Sequence, residues 1–130
     1  MKSMSRADDV ALSELQIAVM RVLWSRPEAS TADVAQALAE QRGLAHTTVA
    51  TLLSRLEKRG VVAARRDGRQ LVYRAVASED QVRRSMVAGL LSAVFGGDAP
   101  ALVSHLVRES EIDAGDLDRI KRLLAKARSK

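Results

Sequence analysis

The chain has 130 residues, 47 % of them apolar, 2 % aromatic and none cysteine. Disulfide scaffolds, cysteine zinc sites and thiol nucleophiles are therefore excluded, and a core of one small domain, or a domain with an appendage, must be packed by Ala and Leu, which favours helices. Net charge is +5, yet the stretch from Arg42 to Arg74 alone sets eight cations against Glu57 and Asp67, a local +6 that suits a polyanionic partner.

Residues 1–11 read as a flexible tail. "MKSMSRADDV" lacks the apolar centre of a signal peptide, and no apolar run is long enough to span a membrane, so a cytoplasmic protein without membrane insertion is expected. The first helix begins in "LSELQIAVMRVLWSR": Ser13 and Gln16 form a capping box, Leu12 and Ile17 a hydrophobic staple, and Pro27 stops the helix. A second helix, "STADVAQALAEQRG", repeats the device with Ser30 and Asp33 and ends at Gly43. After the short turn "LAH" a third helix runs over 47–59, with Val49, Leu52, Leu53 and Leu56 as its inward stripe. The period then changes to two. Strands over about 61–66 and 71–76 flank an Asp67-Gly68 turn, a strong hairpin signal.

The remainder is helical. Ser78 caps a helix ending before "GGDAP", "ALVSHLVRES" forms a short one, and Asp113 caps a last helix that is acidic at its start and basic at its end. The fold class is thus mainly α with a small β-hairpin: a winged helix–turn–helix over 12–77 and a helical dimerisation domain over 78–130. The second part carries more apolar helix surface than a small winged domain can cover. Val82, Met86, Leu90, Leu91, Leu102, Leu106, Leu117, Ile120 and Leu124 are expected at a homodimer interface.

Opposite the leucines of the third helix, Thr47, Thr51, Ser54, Arg55 and Lys58 form one polar stripe. A helix entering the major groove needs short side chains near its leading end, which Thr47, Thr48 and Thr51 supply. Arg55 has the reach for a guanine edge or a phosphate, His46 stands at the helix start, and Arg65, Arg66 and Arg69 cluster at the hairpin tip, placed to grip backbone phosphates. These ten residues are the expected contacts to double-stranded DNA. Threonines as neutral filler and arginines as edge-strand protection are the plainer readings of each piece. Catalysis has no comparable basis: His46 and His105 lie in different elements, and neither a phosphate loop nor metal-ligand spacing occurs. No enzyme activity, cofactor or metal is expected. A winged-helix adaptor docking its basic face on an acidic protein, with only non-specific DNA affinity, is the alternative.

In order along the chain, "LSELQIAVMRVLWSR", "TTVATLLSRLEKRGVV", "GRQLVYRAVAS" and "FGGDAPALVSHLV" resemble the BlaI/MecI penicillinase-repressor family, from about Leu12 to Leu124. The resemblance implies a homodimeric winged-helix repressor of inverted-repeat operators with TACA and TGTA half-sites. It places recognition-helix contacts at Thr47, Thr48 and Arg55 and a wing contact at Arg69. Where the family usually has a serine cap, this chain has Ala45. Where β-lactam-responsive members are cleaved at Asn-Phe, on the signal of a membrane sensor, it has His105-Leu106, the matching position of a proteolytic switch. An upstream sensor or protease is not identified by the sequence, and the copper-responsive branch's cysteine cluster is absent.

Overall fold

The computed structural model describes residues 10–109 and 111–128. Elements follow in the order α1 (Glu14–Trp24), β1 (Ala29–Ser30), α2 (Thr31–Arg42), α3 (His46–Lys58), β2 (Val62–Asp67), β3 (Gln70–Ala75), α4 (Glu79–Phe95), α5 (Ala99–Arg108) and α6 (Ala114–Arg128). The protein is mainly helical, with one antiparallel sheet of order β1-β3-β2.

Local chemistry sets most helix starts. Ser13 Oγ accepts from the Gln16 amide (3.1 Å), while the Gln16 side chain accepts from the Ser13 amide (3.0 Å). Ser30–Asp33 and Ser78–Gln81 close in the same way. Each box satisfies donors that a helix leaves without internal partners. At the end of α2, Gly43 adopts φ 67°, which a side chain disfavours, so the chain can reverse within three residues. Its amide donates to Ala39 O (3.0 Å) and the Leu44 amide to Leu38 O (3.3 Å), closing the helix.

The chain divides into two compact units at Gly89–Leu90, within α4. The first holds α1–α3, the sheet and the start of α4. Its core joins Val19, Met20 and Leu23 of α1, Val34 and Leu38 of α2, Val49, Leu53 and Leu56 of α3, and Val62 and Tyr73 of the sheet. Three differences from the sequence reading appear here. The tail expected over 1–11 falls outside the described residues up to position 9, but Val10 is only 1 % exposed, and its amide donates to Ser85 Oγ at 2.7 Å. The two-residue strand β1 was not anticipated, because Ser30 reads as a helix cap and strands of two residues carry no periodicity.

The third difference concerns α4. Val82, expected at a homodimer interface, is 3 % exposed in the core of the first unit, and Met86 packs against that core. The chain itself covers Val82 and part of Met86, so the start of α4 lies in the first unit. In the second unit, Asp98 Oδ1 accepts from the Ala101 amide (3.0 Å) to cap α5, and Asp113 and Asp116 cap α6 reciprocally. The Phe95 and His105 rings meet edge to face, centroids 6.2 Å apart. Among the described residues, no single helix is long and apolar enough to cross a membrane.

Candidate nucleic-acid interface

Helix α3 presents its polar face because its apolar face is fully committed. Val49, Leu53 and Leu56 have no exposure, and Leu52 little. Burying each such side chain stabilises the fold by about 1.5–3 kcal/mol, so rolling the helix is prohibitive. The same register leaves His46, Thr47, Thr48, Thr51, Ser54, Arg55 and Lys58 exposed. All seven α3 residues expected from the sequence therefore lie on the free side of one helix.

The start of α3 differs from the other helix starts. Ala45 has the extended backbone of a cap residue (φ −73°, ψ 151°) but no side-chain acceptor, and the first turn carries no acid. The N-terminal amides of α3 are thus not bonded by a cap side chain. Every other described helix has a Ser or Asp bonded there.

The hairpin turn lies one residue later than the sequence suggests. Asp67 pairs with Gln70, so Gly68 and Arg69 are the central residues, and Gly68 takes φ 65°. Primed hairpin turns require positive φ at the first central position, which glycine supplies without strain. Register then sorts the wing side chains. Arg66 pairs with Leu71 on the face that carries Tyr73 and Ala75 to the core. Arg65 pairs with Val72, so it shares the opposite face with Arg74.

The +6 segment is not uniformly available. Arg42 pairs with Glu14 (3.3 Å). Arg65 is gripped at two points by Glu28, Nε–Oε2 at 2.9 Å and Nη2–Oε1 at 2.7 Å. Arg65 donating into Glu28 is the main reason that the Glu28 carboxyl is held below its usual value. Among the described residues, no carboxylate pairs with Arg55, Lys58, Arg59, Arg66 or Arg69. Of the three wing arginines expected at DNA, Arg66 and Arg69 are open and Arg65 is engaged. Glu28 was missed because its partner is 37 residues away and nothing local marks it. Arg59, at the exposed end of α3, adds a cation that the sequence reading did not place at the interface.

Tyr73 packs in the core. Burial chiefly, and then Glu57, push its hydroxyl above the ordinary value, against a hydrogen bond with Thr31. His105 is exposed and Leu106 half-buried, both within α5. No group of three or more His, Asp or Glu able to hold a metal occurs among the described residues.

A family profile described as penicillinase repressor matches residues 12–126. The chain belongs to the penicillinase repressor family. That family consists of transcriptional repressors, not enzymes. The transcriptional regulator BlaI of Mycobacterium tuberculosis is 40 % identical over 116 residues, covering 88 % of this chain and 83 % of that protein. The methicillin resistance regulatory protein MecI of Mammaliicoccus sciuri is 22 % identical, covering 88 % and 94 %. Among solved structures, the DNA-binding domain of the repressor BlaI aligns with TM-score 0.51 and 28 % identity, over 54 % of this repressor and 85 % of that chain. The fold extends further: RosR of H. salinarum aligns over 94 % of this chain and 98 % of its own, with TM-score 0.55 and 20 % identity.

Proposed function

We propose that this repressor occupies an inverted-repeat operator as a homodimer, with α3 in the major groove of each half-site and the wing tip on the neighbouring backbone. One observation carries the reading. The exposed stripe from Thr47 to Lys58 and the unopposed Arg66 and Arg69 belong to the same compact unit, while the opposite side of α3 is locked in the core. Thr47, Thr48 and Thr51 let the helix backbone approach the bases, Arg55 reads a base edge or a phosphate, and Lys58, Arg66 and Arg69 neutralise phosphates. Half-sites of the TACA/TGTA kind are the expected target, within the cytoplasm.

Apolar surface in the second unit supports the homodimer. Leu90, Val94, Val103, Val107, Leu123 and Leu124 are exposed there, apolar surface that a second copy would remove from water. A twofold assembly sets two α3 helices at a fixed spacing, which an inverted repeat matches.

Selection of bound duplexes from a randomised pool at near-physiological salt tests the proposal. An enriched inverted repeat of fixed spacing is expected. Recovery of duplexes without a shared motif would replace it with sequence-blind DNA affinity, the behaviour of an adaptor.

A further inference from the structure

We propose that Glu28 is a negative determinant of DNA affinity: by holding Arg65 on the back of the wing, it confines the wing's phosphate grip to Arg66 and Arg69. The inference rests on the DNA-binding reading above and goes beyond it by assigning a role to an acidic residue outside α3 and the hairpin.

The geometry begins with the sheet. Cross-strand partners share a face, so Arg65, Val72 and Ser30 stand on one face, and Ala64, Tyr73 and Ala29 on the other. The second set packs into the core. Glu28 lies two residues before Ser30 and reaches the same face as Arg65. Its two carboxylate oxygens meet Nε and Nη2 of Arg65, the planar fork that an arginine would otherwise offer to a phosphate. A second wing cation, Arg74, is close enough to act on the Glu28 carboxylate, and Asp67 acts on Arg65.

The back face of the hairpin is therefore compensated, two arginines against two carboxylates. Arg66 and Arg69 have no such opposition among the described residues. The wing is polarised by one residue donated from the α1–β1 connection. An evenly basic hairpin could bind a backbone in several orientations. A polarised one has a preferred side, and loses one phosphate's worth of sequence-blind affinity.

Anisotropy titrations of the full chain with a random-sequence duplex, across a salt series, test this with Glu28→Gln, Arg65→Gln and the double variant. Both positions are substantially exposed, so the fold tolerates the changes. Glu28→Gln is expected to steepen the log–log salt slope by about 0.9, one additional phosphate contact, and to tighten binding in low salt. Arg65→Gln alone is expected to leave the parental slope unchanged, and the double variant to lose the gain. A loss of slope on Arg65→Gln would show Arg65 already on phosphate and overturn the proposal. So would a gain that survives in the double variant, because that variant has the parent's net charge and lacks Arg65, so the gain would not depend on a released Arg65. An unchanged slope in Glu28→Gln would also overturn it. A parent chain that binds no duplex even at low salt would remove the DNA-binding reading and this proposal together, an outcome distinct from the other three.

Discussion

The Trp24 indole Nε1 donates a 2.9 Å hydrogen bond to the carbonyl of Ala77, joining the end of α1 to the segment that leaves β3. The bond spans 53 residues and sits beside the point where α4 begins. With Val10 bonded to Ser85, it fixes the start of α4 to the winged helix from two sides. Trp24→Phe keeps most of the ring packing but leaves the Ala77 carbonyl without this donor. A loss of about 1 kcal/mol in urea unfolding is expected. Unchanged stability would mean that water replaces the indole at no cost.

Ala45→Ser addresses the uncapped start of α3. Ala45 already has φ −73° and ψ 151°, close to Ser13 (−72°, 167°) and Ser30 (−76°, 166°), which both cap. A serine there needs no backbone change to reach the first-turn amides. The variant is expected to gain about 1 kcal/mol, seen as a higher urea midpoint with an unchanged slope. A midpoint equal to the parent's would show that the first turn of α3 is satisfied in another way.

On DNA, Arg55→Ala is expected to weaken operator binding by roughly 1–3 kcal/mol and relax preference at one base pair per half-site. Arg69→Ala is expected to weaken binding to all sequences alike and reduce the salt slope by about 1. Competition titrations with single-base operator variants separate the two. Equal discrimination by parent and Arg55→Ala would take Arg55 away from the bases.

Sedimentation of the parent and of Val94→Glu tests the apolar face of the second unit. Val94 is 66 % exposed, so a glutamate there does not disturb the interior. The parent is expected to sediment as a dimer and the variant to shift towards monomer, with the same helical circular dichroism. A monomeric parent at tens of micromolar would remove the homodimer from the proposed function.

Acid sensitivity of α2 follows from Asp33. The Ser30 amide first, then the Ser30 hydroxyl and the nearby Arg26, hold its carboxyl below the ordinary 3.8. A carboxyl depressed in the folded state contributes stability that is present above its unfolded value and lost as pH falls through the folded one. The stability gap between parent and Asp33→Ala is therefore expected to be constant near neutrality and to narrow as the pH falls below about 4. A gap independent of pH would mean that the ionised form of Asp33 contributes nothing to the cap.

What the sequence determined by itself is local. Capping boxes at Ser13, Ser30 and Ser78 need partners three residues away, and the α3 stripe needs only a period of 3.6, so both are visible in one dimension. The family resemblance rests on ordered stretches of residues such as "TTVATLLSRLEKRGVV" and "GRQLVYRAVAS". Tertiary structure decided the features whose partners are distant. Val10 meets Ser85, Trp24 meets Ala77, and Glu28 meets Arg65 across separations of 75, 53 and 37 residues. Charge counting gave Arg65 the same weight as Arg66, although strand register places the two on opposite faces. Hydrophobicity gave Val82 the same weight as Leu90, although the core covers the first and leaves the second exposed. Composition and periodicity report which side chains must leave water or carry charge; only the folded chain decides which partner each one finds.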